Sequence, residues 1–297
     1  MAAQRNKNNR IQEFFSIRFR RLLSGAKDGK PPWLDIIAGG DTGGLFVPTD
    51  APWVVHRDFG TLVGGIRALL VQALHPATLA GVRNHSRYEQ DPLGRLAGTI
   101  RWLTVTTFGA FDAISGEANR VNRLHERVAG ESPVSYRAAD PHLLLWVHVA
   151  FTDSFLTAHE LYCEAKIPGG ADNYISQWAK SVEPLGLNSA PKNRGELDTV
   201  LKEFQPELSF TEDTASVVRF IRKPPLPLLA RPVYALLFKA ALLSLRPENL
   251  DLLGLRKPSK LFVPMTRFTL KAIRTIIGPE SPIEDGAIRR LERLGLI

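Results

Sequence analysis

Asp140-Pro141-His142-Leu143-Leu144-Leu145-Trp146-Val147-His148-Val149-Ala150-Phe151-Thr152-Asp153-Ser154-Phe155 is the stretch on which the fold class turns. An aspartate followed by proline starts a helix: the carboxylate caps free N–H groups, and proline stands where its missing N–H costs nothing. Leu143, Leu144, Trp146, Val147, Val149, Phe151 and Phe155 then occupy nearly every face. That pattern predicts a central, buried helix from Pro141 to about Ala165.

The neighbouring segments repeat the helical signal. Phe59 to about Val82 carries Leu62, Ile66, Leu69, Leu70, Ala73 and Leu74, and Pro76 should break that helix just after His75. Within it, Gly64-Gly65 lets another backbone or a flat ligand come close. Asp91-Pro92 opens a helix through Arg95, Thr99, Trp102 and Thr106 towards Gly109, and residues 112–130 form the next, ending at Gly130. Further helices are expected at 171–181, 195–204, 211–221, 229–246, 262–277 and 284–295. Gly29 to Pro52, dense in glycine and proline, reads as a loop with no regular element, and Pro-rich 223–232 as a connection. No run alternates like a strand. The expected class is all-α.

Composition narrows the chemistry. The 297 residues are 44% apolar and 23% charged, which excludes wholesale disorder and an ordinary multi-span membrane protein. Cys163 is the only cysteine, so no internal disulfide, CxxC zinc site or cysteine-ligated iron–sulfur cluster can form within one chain. Iron, if used, must be held by histidine or carboxylate.

The net charge of +8 is concentrated at the start of the chain. Residues 1–30 hold eight basic side chains against Glu13 and Asp28, leaving the rest nearly neutral. There Ile11, Phe14, Phe15, Phe19, Leu22 and Leu23 recur at helical spacing among Arg18, Arg20 and Arg21. A basic amphipathic helix of this kind either touches a membrane surface through residues 11–24 or packs its Phe stripe on the domain. Arg20-Arg21 is not followed by an apolar signal region and no later stretch is long enough to span a bilayer, so a cytoplasmic, at most membrane-associated, location is expected. Aromatic residues are not interleaved with basic ones in the body, which argues against nucleic acid.

Familiar enzyme motifs fail. Gly39-Gly40 to Gly43-Gly44 lacks the P-loop lysine, and no G-x-S-x-G occurs. His159 and Cys163, one turn apart, are either a weak metal pair or a plain surface pair. More telling are His75, His125, His148 and His159, set in helices that read as interior, although the His125 helix is more polar, with Val121, Leu124 and Val128 sharing its face. A buried neutral imidazole needs a partner for each ring nitrogen, and several in one fold exceed what packing requires. Arg95 and Thr99, also one turn apart, share a helix face and make either an anchor for an anion or an oxygen ligand, or a surface arginine beside a threonine.

In order along the chain stand Arg67-Ala68-Leu69-Leu70-x-Gln72-x-x-His75-Pro76 to Ala80-Gly81-Val82, His85-Ser86, Asp91-Pro92-x-x-Arg95 to Thr99, Arg123-Leu124-His125-x-x-Val128, and Asp140-Pro141-x-x-Leu144 to Trp146-Val147-His148. This series resembles the rubber-oxygenase (latex-clearing protein) catalytic-domain family, which includes the fungal MpaB-type oxygenase, over roughly residues 50–255.

The resemblance implies a globin-reminiscent all-α domain enclosing haem b (iron protoporphyrin). It implies an oxygenase, or a peroxidase-like oxidoreductase, using dioxygen or peroxide on a hydrophobic small molecule of isoprenoid or lipid-like type. Carried over residue by residue, Arg95 and Thr99 stand beside the haem and His125 is its axial ligand, with His148 the alternative. His75 or His148 would shuttle protons, and Gly65 would admit the macrocycle. Gly98 stands where rubber enzymes have a lysine, and no glutamate occurs from Leu79 to Val82, where they have a base. Two other functions are compatible with the same residues: a haem-binding sensor or carrier without turnover, and a haem-free helical protein that docks on a membrane or partner. The expected organisation is a basic segment, 1–30, and a single all-α catalytic domain, 31–297.

Overall fold

Pro141 to Tyr162 forms one uninterrupted helix in the computed structural model of the protein, which describes residues 12–21, 24, 26, 28–85, 92–131, 134–278 and 281–297. The first half of the chain holds α1 (residues 12–21), α2 (Leu34–Ala38), α3 (Ala51–His56), α4 (Gly60–Gln72), α5 (Pro76–His85), α6 (Pro92–Phe108) and α7 (Phe111–His125). Next come β1 (Ala129–Gly130), β2 (Tyr136–Arg137), α8 (Pro141–Tyr162), α9 (Gly170–Ala179) and α10 (Arg194–Glu203). The chain finishes with α11 (Glu212–Arg222), α12 (Arg231–Ser244), α13 (Pro247–Leu252), α14 (Phe262–Ile277) and α15 (Pro282–Arg293). Among the described residues the only sheet is the two-residue antiparallel pair β1–β2, so the protein is all-α.

The helices group into two compact units, one of residues 1–48, 86–118 and 271–297, the other of 49–85 and 119–270. The second is organised around α4 and α8, which make the most extensive contact among the described elements. They run antiparallel: Gly60 lies against Cys163 and Ala158, Gly64 against Phe155, and Arg67 reaches Ser154 and Asp153. At Gly64 a Cβ would press on the Phe155 ring and backbone, so glycine sets how closely the two helices approach. Trp53, Trp146 and Tyr174 are fully buried in this unit.

The start of α8 follows from its sequence, with the Asp140 carboxylate accepting the His142 N–H at 2.9 Å. The break between α4 and α5 is a sharp bend of 104° at the residues before Pro76. Carbonyls freed there find long-range donors: Ser209 N–H to Leu74 at 2.8 Å and the Thr214 hydroxyl to Ala73 at 3.0 Å.

In the other unit, α2 and α15 pack together and both touch α6. Arg290, almost fully buried, donates to the carbonyls of Ile37 and Phe108 at the ends of α2 and α6. Arg101 on α6 bonds the buried Glu117 of α7 at 2.8 Å.

Two expectations need correction. Gly29 to Pro52 is not all loop: Trp33 and Ile37 are buried, Trp33 donates to Thr104 at 2.8 Å, and that burial stabilises the short α2 against the turn residues around it. Residues 112–130 are not one helix, since α7 stops at His125 and Ala129–Gly130 pairs with β2 instead. In α1, Phe14 and Phe15 are exposed, Phe19 is half-buried and Ser16 is buried, so Phe14 and Phe15 are not on the packed face. Ile11, Leu22 and Leu23 lie outside the described residues.

Candidate functional site

Three polar stations cross the α4–α8 seam. The central one is an ion network. Arg67, 1% exposed, donates to the Asp153 carboxylate at 2.6 Å, to the Ser154 hydroxyl at 2.8 Å and to the Ser244 carbonyl at 3.0 Å. Arg246 bonds Asp153 at 2.9 Å and Asp198 at 2.5 Å. Burial by itself would raise the Asp153 carboxyl, but the charges of Arg67 and Arg246 override it and hold it below the usual carboxylate range. Every polar group in this network has a partner, and the network ties α4, α8 and α10 together.

The second station lies where α4 breaks. His75 is buried, and its Nδ1 accepts the Thr78 N–H at 3.4 Å, capping α5. Nε2 therefore carries the proton and donates to Glu207 Oε2 at 3.2 Å. His142, in the first turn of α8, donates from its Nε2 to Glu207 Oε1 at 2.8 Å. Trp146 and Phe204 wall this group, their ring centroids 5.6 and 6.1 Å from that of His75. Burial lowers the His75 pKa and the Glu207 contact raises it, with burial prevailing. A buried neutral imidazole is thus joined to a carboxylate that is 41% exposed, an arrangement able to pass a proton between the interior and solvent.

The third station, at the opposite end of the seam, gathers Asp58, His159 and Cys163. Beside it His56 is buried, its Nε2 3.0 Å from the Tyr174 hydroxyl. Burial, with His159 nearby, pushes the His56 pKa down to about 3.

The residues singled out from the sequence are dispersed over these elements. Arg95 lies in α6, and its side chain falls outside the described residues. Thr99, also in α6, is half-buried, as is His125 at the last position of α7. His148 is buried in α8, with Nε2 3.4 Å from the Thr152 hydroxyl and burial pushing its pKa down to about 4. Neither His125 nor His148 joins a three-group metal-ligating cluster among the described residues. Gly65 is half-buried on α4, and a Cβ there would meet nothing within 4 Å.

Glu207, His142, Asp58 and His56 were not singled out by the sequence. Glu207 stands 132 residues from His75, and no local pattern links such positions. A surface hollow of about 420 Å³ lined by Arg83, Glu212, Asp213, Ser216 and Arg219 is charged and offers an apolar ligand little contact.

Fold and interior together define an all-helical protein that holds several imidazoles neutral inside a packed core. The family model for the catalytic domain of ER-bound oxygenase mpaB/B' and rubber oxygenase matches residues 53–275, three-quarters of the chain, and the protein belongs to that family of oxygenase domains. The match runs on through α12 and most of α14, beyond where the sequence motifs end. No curated protein and no solved structure matches the chain.

Proposed function

We propose that this oxygenase-family enzyme depends on haem b and acts on a hydrophobic small molecule, of isoprenoid or lipid-like class. The observation that carries this is family membership over residues 53–275. The residues present suit the group. His148 is kept neutral by burial, which leaves an imidazole lone pair available at neutral pH. Gly65 opens onto space beside the central helix pair, where a flat macrocycle needs the absence of a side chain.

In this reading His125 is the iron ligand and His148 the alternative, with Arg95 and Thr99 on the oxygen side. When bound, the iron porphyrin would supply the activation of dioxygen or peroxide that no side chain can provide. Arg95 would neutralise a propionate or orient a polar oxygen. His75 would hold a proton at Nε2 and exchange it through Glu207 with solvent. Apolar helix faces would exclude water and favour an apolar substrate.

A lipid-like substrate fits a protein that rests on membranes, and two helices suit that contact. α1 exposes Phe14 and Phe15, with Arg18 4.2 Å over the Phe14 ring. α14 exposes Met265, Phe268 and Ile276 along one line, continued by Leu261 just before the helix, opposite buried Thr266 and Leu270. Arg256, Lys257, Lys260, Arg267, Lys271 and Arg274 accompany that line, and no acidic residue occurs between Asp251 and Glu280. Gln12 bonds the Thr275 carbonyl at 3.0 Å, which brings α1 beside the end of α14. Exposed apolar side chains flanked by cations suit an acidic lipid surface. No single helix among the described residues is long and apolar enough to cross a membrane.

The test is the absorption spectrum of haem-reconstituted protein. A Soret band at ~400 nm is expected for histidine-ligated haem, and it should vanish or shift in His125→Ala. Loss only in His148→Ala moves the ligand to α8. Failure of correctly folded protein to take up haem overturns the reading. Flotation with anionic liposomes, lost in a Phe14→Ser/Phe268→Ser double variant, tests the membrane contact separately.

A further inference from the structure

We propose that Asp58, His159 and Cys163 form a binding site for a zinc-class divalent ion, separate from the haem chemistry above. One ligand atom from each lies within 4.8 Å of the other two. Asp58 and His159 are 7% and 2% exposed, and Cys163 is half-buried.

The decisive group is His159. Its Nε2 lies 2.7 Å from the Ala165 carbonyl, and a carbonyl can only accept, so Nε2 carries the proton and Nδ1 the lone pair. Nδ1 is buried with no hydrogen-bond partner. Leaving such an acceptor unsatisfied costs about 1–3 kcal/mol, which metal coordination would relieve. A backbone carbonyl that fixes one ring nitrogen and leaves the other's lone pair for coordination is the arrangement metal-bound histidines use.

The His75–His142–Glu207 cluster supplies the contrast: its proton-bearing imidazole nitrogens are hydrogen-bonded to Glu207, so it needs no ion.

Donor chemistry selects the ion. One thiolate, one imidazole and one carboxylate favour a borderline ion such as zinc over calcium or magnesium, which prefer oxygen alone. Bonds of ~2.0–2.3 Å in a tetrahedral site place ligand atoms about 3.5 Å apart, so a movement of about an ångström closes the cluster. Asp58 precedes α4 and Cys163 directly follows α8, positions at helix ends rather than in rigid middles. On binding, the Cys163 S–H bond breaks, its proton passes to solvent and a sulfur–metal bond forms. Water completes the fourth position. The ion would clamp the start of α4 to the end of α8.

Cys163 is the only thiol in the chain, so its reactivity reads the site directly. In chelator-stripped full-length protein, adding zinc should slow alkylation of Cys163 at least about tenfold, because the metal holds the nucleophilic thiolate. Cobalt(II) in place of zinc should give a sulfur-to-cobalt charge-transfer band. Asp58→Asn keeps an oxygen to accept the Gly60 N–H, bonded at 3.3 Å, yet should weaken cobalt binding about 10–100-fold. His142→Ala, in the other cluster, should change neither readout. Unaltered alkylation with zinc in protein shown folded by circular dichroism, absence of the band, or wild-type cobalt affinity in Asp58→Asn overturns the proposal. None of these readouts requires oxygenase activity.

Discussion

The two ends of the α4–α8 seam carry nearly the same ingredients in opposite states. At the α4–α5 break, two imidazoles share Glu207. At the other end, His159 spends one nitrogen on a backbone carbonyl and leaves the other, fully buried, without a hydrogen bond. Proximity of histidine and carboxylate therefore says little by itself. What separates a finished hydrogen-bonded cluster from a site awaiting a ligand is whether each lone pair is used.

Between them the Arg67–Asp153–Arg246 network sets the scale for breaking a satisfied buried group. Arg67→Ala should cost about 3–5 kcal/mol in chemical denaturation, because it strands the Asp153 charge. A loss below about 1 kcal/mol would mean water compensates freely at mid-seam, and the contrast between the ends would lose its footing.

Acid should act nearly as strongly. His148 and His56 have folded pKa values lowered from 6.5 to about 4 and about 3. In that window the unfolded chain binds protons that the folded one refuses, so stability falls as pH drops below 6.5 and is fully present above it. His148 alone corresponds to about 3 kcal/mol, and His148→Gln should flatten the melting-temperature profile between pH 6.5 and 4. Below that, Asp153, whose folded pKa is depressed, adds a further loss as it is protonated.

Adjacent glycines sharpen the comparison next. Gly64→Ala should destabilise by about 1–3 kcal/mol through overpacking on Phe155. Gly65→Ala, facing open space, should stabilise by about 0.5–1 kcal/mol through helix propensity while reducing haem uptake if the macrocycle lies there. Equal haem binding in Gly65→Ala and wild type would remove that glycine from the site. The smallest effect belongs to His142→Ala, below about 1 kcal/mol, since both His142 and Glu207 are solvent-accessible. A larger measured loss would show that the exposed cluster holds the fold as the buried network does.

Much of this was readable from local chemistry. Asp140-Pro141 started α8, Pro76 ended the α4 run, and the apolar spacing gave all-α with most helix boundaries within a few residues. Burial of His75 and His148 also followed from their apolar neighbours, whereas His125, expected inside with them, is half-buried, and His159, read as half of a weak metal pair or a surface pair, is buried. His56 escaped because α3 lies where glycine- and proline-rich sequence gives way to a six-residue helix too short to show a period.

Along the chain, periodicity and capping depend on residues within a few positions of one another, and so the sequence alone determined the helices, their buried faces and the family motifs. Which imidazole meets which carboxylate depends on how distant helices cross: Glu207 reaches His75 across 132 residues, and Asp58 comes to His159 only because α4 and α8 run antiparallel. That pairing is set by close packing at Gly60 and Gly64 and by the Arg67 network, which no local pattern encodes.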